Sequence, residues 1–347
     1  MPHGDQMAPV ATLISRASPL ELRTVAHAVP AISVLMAVRN GDRFIDEAIA
    51  SVLRQTLADL ELVLVDNGSH DGTAGRIAAW SWLDPRLRAF RLDRPGLARS
   101  LNYAAAQARA SVLARLDADD IAEPTRLEVQ LAALTADPAL GAIGSNALLI
   151  DALGRPVGEV RVPSGREAIR AFLADGNPFV HSSVVMRRSF FDQVGGYRDG
   201  LSATEDLDLW IRLSEVSELD LVPQLLVRYR VHGSSMVQRQ AARVAITDAC
   251  VRAARTARRA GSVEPFSAGR PQLRRALSLL GTDREAFCRD VRVKLLRQRF
   301  FTWYLCLPIP LRLKIWVRKV AVSIGVKPLL GWSLNQIEPF SRRSGKS

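Results

Sequence analysis

Three short apolar runs, each closed by a polar or acidic cluster, restrict this chain more than any other feature. Ile32–Val38 (ISVLMAV) runs into Arg39-Asn40-Gly41. Leu60–Val65 (LELVLV) stops at DNGSHDGT, Asp66–Thr73. Val112–Leu116 ends at Asp117-Ala118-Asp119-Asp120. Runs of this length bounded by turn residues predict strands buried on both faces. Segments with apolar residues at helical spacing lie between them: Phe44–Leu53, Ala74–Trp82 and Leu97–Ala110, with a further strand at Leu87–Leu92. Asp71 or Thr73 is placed to cap the second helix. Strands alternating with helices imply an α/β fold, a doubly wound, mostly parallel sheet with helices on both faces. Ligands of such sheets bind beyond the carboxyl ends of the strands, so Asp66 and Asp117 are expected to open onto one cleft.

Beyond Pro124 the pattern predicts a helix at Arg126–Leu134 and a strand over Ala142–Asp151, placed at a sheet edge. A strand at Ser182–Met186, a short helix and a Gly-Gly turn follow. Thr204–Val216 is a helix with Thr204 as N-cap and acidic residues in its first turn, which suits the helix dipole. Leu221–Met236 is a strand leading into a polar turn. From Gln240 the composition turns to Ala- and Arg-rich helices. Three regions result: a loose leader over 1–30, an α/β domain over 31–239 and a basic helical extension over 240–347.

Charge divides along the same line. Residues 241–347 hold 22 Lys and Arg against 6 Asp and Glu, a net of +16, whereas residues 1–240 carry a net of −4. A basic tail of this kind suits an anionic surface, and no nucleic-acid-binding motif accompanies it. Cys250, Cys288 and Cys306 are widely spaced without a CxxC pair, which argues against a disulfide framework or a structural zinc site and fits a reducing compartment. Arg16, Glu21 and Arg23 interrupt any apolar signal region near the start, and no run of about 18 uncharged apolar residues suggests a membrane span.

Three carboxylates in four residues at Asp117–Asp120 repel one another, and nothing basic follows immediately. Capping the next helix would use only Asp119 or Asp120. A hard divalent cation gives a fuller reason, because Mg²⁺ is usually held by one or two carboxylates together with substrate phosphates. In an Asp-x-Asp at a strand end, one carboxylate can reach ligand hydroxyls while the other takes the metal.

ISVLMAVRNGDRFIDEAIASVLRQT, LELVLVDNGSHDGT, GLARSLNYAAAQARASVLARLDADD and ATEDLDLWIRL, in this order, resemble glycosyltransferase family 2, with its GT-A fold for nucleotide-diphospho-sugars. The resemblance spans about Ala31 to Met236. It implies that Asp66 binds the nucleotide base, that Val38 and Asn40 line the same pocket, and that Asp117 and Asp119 are the family's DXD. In that motif Asp117 meets the ribose and Asp119 the metal, Mn²⁺ or Mg²⁺. His232, in YRVHGSSM, matches a histidine that closes on metal or diphosphate; a lone histidine can equally be structural. Of Glu205 and Asp206 the family pattern makes Asp206 the general base. This chain reads Ala37-Val38-Arg39-Asn40 where many members read Pro-Thr-Tyr-Asn, which leaves the orientation of Arg39 open.

The function these features predict is an inverting, metal-dependent glycosyltransferase. It would move a sugar from a nucleotide-diphosphate donor, with UDP the default nucleotide, to a glycan or lipid-linked acceptor at the inner face of a membrane. Bacterial surface-polysaccharide assembly would suit it. The alternatives are a non-catalytic nucleotide-sugar-binding or scaffold protein of the same fold, and a nucleotidyltransferase. The last would show a Gly-rich phosphate loop near the first strand, and VRNGDRF is not one. Asn102 either satisfies buried backbone or touches the donor. His181 and Ser182 either line the acceptor side or are structural, and Trp210 belongs to the core. In the tail, Arg297–Ile324 places Leu313, Trp316, Val317, Val320 and Ile324 on one helical face, flanked by Arg312, Lys314, Arg318 and Lys319. That face suits either a membrane interface or packing against protein.

Overall fold

A computed structural model describes residues 29–94, 96–201, 204–232, 241–267, 270–289 and 291. The amphipathic segment 297–324 and all but the last two residues of the leader lie outside them. The strands β1 (Ile32–Val38), β2 (Leu60–Asp66), β3 (Leu87–Arg91) and β4 (Val112–Arg115) run parallel in the order β3-β2-β1-β4. The chain winds outward from β1 to β3 and then returns to the other side of β1, so the topological switch point falls between β1 and β4.

β1 and β2 are buried at all seven positions. Their alternate residues feed two cores. Ile32, Val34, Met36, Leu62 and Leu64 share one with α1 (Ile45–Leu53) and α4 (Arg126–Ala136), and Ile77 of α2 (Thr73–Leu83) joins it. Leu35, Ala37, Val63 and Val65 share the other with α3 (Leu97–Gln107) and α7 (Glu205–Leu213). The result is a sheet covered on both faces, the reason its strands read as nearly continuous apolar runs.

Past β4 the sheet becomes mixed. β5 (Ile121–Ala122), β6 (Leu140–Ile150), β8 (Val185–Arg187) and β9 (Glu218–Arg230) continue it as β4-β8-β6-β9-β5, and β7 (Pro156–Val160) pairs with β6. β8 is antiparallel to both of its neighbours, and β6 and β9 are parallel. The expected edge strand is therefore an interior one: β6 has β9 along one side and β8, then β7, along the other. A glycine also allows close packing on one face of this strand. A Cβ on Gly144 would lie 2.3 Å from Cδ1 of Phe179, so only glycine lets this ring lie against the strand.

Thr204 occupies the N-cap position of α7, but its hydroxyl makes no capping bond and is buried without a partner. At α2 the N-cap is Gly72, while the Asp71 carboxylate accepts the Thr73 backbone N–H at 3.1 Å. The described part of the basic extension consists of α8 (Ala241–Arg259), a small hairpin of β10 (Phe266–Ser267) and β11 (Arg270–Pro271), and α9 (Leu273–Leu279). Val251 of α8 enters the same core as α7, and Phe266 packs against it. Cys250, Ala253 and Ala276 form a small core of their own. Among the described residues no helix is long and apolar enough to cross a membrane.

Candidate functional site

The carboxyl ends of β1, β2 and β4, together with the end of β9, form one polar face. At its centre the acidic cluster is neutralised from within. Arg115, wholly buried at the end of β4, pairs with Asp117 two residues on. Burial alone would raise the Asp117 carboxyl, but the Arg115 charge prevails, and a hydrogen bond from Ser182 assists; the carboxyl is held below the usual range. Ser182 Oγ accepts the Asp117 backbone N–H at 3.0 Å and contacts both Asp117 Oδ2, at 3.0 Å, and Asp120 Oδ2.

Asp120 is the member of the cluster turned inward. It is 1% exposed and accepts the Arg230 backbone N–H at 2.8 Å. Burial, then the charges of Asp119 and Asp117, push its carboxyl well above the ordinary value. It therefore caps no helix. Arg230, at the end of β9, donates to the Asp119 carbonyl at 2.8 Å and to Glu47 Oε2 of α1 at 2.6 Å, and lies over the Phe44 ring. Below, buried Arg126 donates to the Arg115 carbonyl at 2.7 Å and to Gln130 Oε1 at 3.0 Å. Burial and the Arg115 charge lower its guanidinium to about 9, still charged at neutral pH.

Asp119 projects outward and meets His232, just past β9, with Nε2 and Oδ2 2.9 Å apart. A carboxylate oxygen and an imidazole nitrogen from positions 113 residues apart in sequence thus converge. This donor set fits a divalent cation that completes its shell with substrate phosphates and water. No group of three or more His, Cys, Asp or Glu side chains suited to a metal exists among the described residues, so the protein alone does not encase an ion there.

At the carboxyl end of β2, Asp66 accepts the Ser69 backbone N–H at 2.9 Å and pairs with Arg91 at 2.8 Å. The β2–β3 register sets Arg91 directly opposite Asp66, a pairing visible only once the strands are aligned. Val38 is 4% exposed, and its carbonyl accepts the Asn67 N–H. Asn40 has φ 54°, and its side chain accepts the His70 N–H at 2.9 Å while its own N–H goes to Ser69 Oγ. Val38, Asn40 and Asp66 are thereby joined in one loop pair. Arg39 points to solvent as an exposed residue.

On the other side lies the first turn of α7. Asp206 Oδ2 accepts a hydrogen bond from Asn177 Nδ2 at 2.6 Å. Burial lifts its carboxyl to about 6 against the opposing hydrogen bonds from Leu207 and Asn177, and the Asp117 charge adds to the rise. Glu205 is 3% exposed with one carboxylate oxygen unpartnered, and burial followed by the Asp206 charge lifts it to about 7. His181 bonds the Tyr197 hydroxyl at 2.8 Å and packs near Trp210. Burial lowers its imidazole to about 3, so it is neutral. Asn102 bonds both the N–H and the carbonyl of Tyr197, so it serves backbone.

Arg115, Arg126, Arg230, Ser182, Arg91 and Asn177 were not singled out by sequence as members of this site, Ser182 excepted as an undecided one. Their signal is partnership across the chain, which a linear reading does not carry.

The raised carboxyl of Glu205 has a thermodynamic consequence. Its folded value of about 7 lies above the ordinary 4.5, so protonation of Glu205 favours the folded state. That contribution is complete below about pH 4.5 and is lost as pH rises through about 7; Asp206 acts with the same sign. Glu205→Gln fixes the neutral form. Thermal melts should give the variant a higher melting temperature than the wild type at pH 8 and little or no advantage at pH 4.5.

Comparison with known proteins bears on the family and the fold. The family model for glycosyl transferase family 2 matches residues 33–195. The O-antigen biosynthesis glycosyltransferase WbnJ of Escherichia coli is 33% identical over 208 residues, 59% of this chain and 81% of that protein. The putative glycosyltransferase EpsE of Bacillus subtilis is 35% identical over 191 residues, 54% and 67% of the two chains. Among solved structures, S. aureus TarS 1–349 in complex with UDP-GlcNAc superposes with a TM-score of 0.56 at 15% identity, covering 77% of this chain and 80% of that one. The mannosyltransferase PcManGT from Pyrobaculum calidifontis, in complex with GDP-Man and Mn²⁺, gives 0.54 at 19% identity, covering 89% and 84%. At these identities the structures speak for the GT-A fold, and the sequence relatives speak for the family. The chain belongs to glycosyl transferase family 2 and is a glycosyltransferase.

Proposed function

We propose that the protein is an inverting, metal-dependent enzyme that transfers a sugar from a nucleotide-diphosphate donor to a glycan or lipid-linked acceptor in surface-polysaccharide synthesis. The observation that carries this reading is the meeting of Asp119 and His232 at the strand ends, 2.9 Å apart, on the face that also holds Asp66 and Asp206. Asp66 takes the nucleobase, in a pocket lined by Val38 and Asn40, and Asp117 takes the ribose hydroxyls. Asp119 and His232 hold Mn²⁺ or Mg²⁺, which when bound neutralises charge gathering on the departing nucleotide diphosphate. Asp206 accepts the proton of the attacking acceptor hydroxyl. Its carboxyl near 6 leaves it mostly ionised at neutral pH while keeping it a stronger base than an ordinary aspartate. A base on the acceptor side, opposite the leaving group, implies inversion at the anomeric carbon.

The named relatives support the acceptor class: WbnJ is an O-antigen biosynthesis enzyme, and AmsE of Erwinia amylovora, 29% identical over 212 residues, is an amylovoran biosynthesis glycosyltransferase. UDP is the leading nucleotide, and GDP or dTDP would fit the same carboxylate. The basic segment 297–324 adds a peripheral position at the inner face of the cell membrane, by attraction to anionic lipid.

Purified protein screened with Mn²⁺ and Mg²⁺ across UDP-, GDP- and dTDP-sugars should hydrolyse or transfer from one class of donor. In Asp119→Ala, transfer should vanish, and calorimetry should show that Mn²⁺ no longer strengthens nucleotide binding. Unchanged Mn²⁺-dependent affinity would remove the metal role from Asp119.

Asp206→Asn should lower kcat by roughly 10²–10⁴-fold with donor affinity retained. Near-normal turnover in Asp206→Asn together with an inactive Glu205→Gln would move the base to Glu205.

The full chain should sediment with anionic vesicles at low salt and be released at high salt, because such attraction is screened. Equal partitioning onto neutral and anionic vesicles, or none onto either, would refute the membrane assignment.

A further inference from the structure

The extension after the sheet unit does more than follow it. Two elements hold Asp206: α7, which carries it, and the loop after α5 (Arg166–Asp175), which supplies Asn177. Asn177 has little freedom in this role. Its Oδ1 accepts the Phe179 N–H at 3.2 Å, which turns its amide nitrogen towards Asp206. Both elements are bound by the extension.

Arg252 of α8 is the contact to the first. Its Nη1 donates to the carbonyls of Leu173, at 3.4 Å, and Ala174, which are carbonyls of the last turn of α5. Such carbonyls have no partner within their own helix, and a cation at that end is also favoured by the helix dipole. Asp248 holds the Arg252 Nε at 3.1 Å, so the guanidinium is fixed from its own helix as well. Only two residues lie between Ala174 and Asn177, so the position of this helix end sets where the Asn177 loop begins.

Glu264 is the contact to the second. It pairs with Arg198 at 2.7 Å and with Arg258 of α8 at 2.7 Å. Arg198 in turn contacts Asp208 of α7 at 3.3 Å and lies 4.5 Å over the Phe266 ring, while Arg258 pairs with Glu215 just past α7 at 2.8 Å. Asp208 is 1% exposed and also paired with Arg212 at 2.6 Å. The charged network therefore runs from the extension into the helix of Asp206, and Val251 joins the extension to the same core.

We propose that residues 241–279 are a working part of the catalytic unit, with Arg252 and Glu264 as positioning residues that fix the Asn177 loop and α7 around Asp206. This rests on the reading of Asp206 as general base. Misplacement of a base by about 1 Å can lower turnover about 10²-fold without touching the donor pocket, and that asymmetry makes the role measurable.

The test uses the full chain with Arg252→Met, which keeps the stem's packing and removes its donors, and Arg252→Lys, which keeps a cationic donor at the helix end. Glu264→Gln is the parallel variant for the second contact. Sugar transfer and calorimetric nucleotide binding with Mn²⁺ are measured for each. Arg252→Met and Glu264→Gln should lose about 10-fold or more in kcat, with donor KM and nucleotide affinity within about 2-fold of wild type, and Arg252→Lys should recover most of the loss. Wild-type kcat in Arg252→Met and Glu264→Gln would overturn the proposal. So would equal losses of kcat and nucleotide affinity accompanied by a lowered melting temperature, which mark general destabilisation. If Asp206→Asn itself turns over normally, the base assignment fails first; an inactive Asp206→Asn beside fully active Arg252→Met and Glu264→Gln sinks only the role of the extension.

Discussion

Everything around the site depends on the burial of Arg115 beneath the acidic cluster. Three carboxylates at one strand end would repel each other, and a buried charge without a partner is strongly unfavourable. Arg115, wholly buried, answers Asp117 from below, and Arg230 binds the backbone of the same turn. Arg126 then fastens the Arg115 carbonyl to α4, and Gln130 extends this to the carbonyls of Ile143 and Ser183. The cluster is thus anchored to β4, β6, β9 and α4 together; Asp117 stays partly exposed, and Asp119 faces outward with His232.

The far end of the sheet meets a similar problem in a similar way. Glu61 in β2 is fully buried, yet Ser33, Arg88 and Arg109 and the Arg109 backbone N–H all donate to it. Burial alone would raise that carboxyl, and the four donors hold it below its ordinary value. The two sites part company in their surplus. At Glu61 every oxygen is satisfied within the fold, whereas at the carboxyl ends of the strands Asp119 and Asp206 keep outward capacity. The same sheet therefore has a structural end and a chemical end. The contrast follows from which end of the parallel strands each cluster occupies and not from the number of charges.

Around the first turn of α7, environment separates groups of one chemical type. Asp117 is held low by Arg115, while Asp206 and Glu205 are raised by burial and by their negative neighbours. A carboxylate that stays ionised beside a ligand and one poised to take a proton are different tools, and adjacent environments produce both from aspartate. Neutral His181 and the Tyr197 hydroxyl lie between them without adding charge.

Much of this was determined by the sequence alone. The apolar runs at Ile32–Val38 and Leu60–Val65, interrupted only by Ser33 and Glu61, required strands covered on both faces, and their spacing from helical segments required the parallel half of the sheet. The Asp117-x-Asp119 spacing and TEDLDLW marked the groups that the fold then brought to one face. Tertiary structure alone decided the rest. β6 became interior because β8 and β7 pair along one side of it and β9 along the other, partners distant in sequence. Which aspartate of the cluster turned inward depended on Ser182, from the single helical turn His181–Ser183, and on Arg230 at the end of β9, both distant in sequence. α8 docks onto the end of α5 through Arg252, whose partners are carbonyls that any sequence could provide. Local pattern fixes periodicity and turn chemistry. The counter-charges of buried groups are fixed by packing, because their partners need only be close in space and leave no mark along the chain.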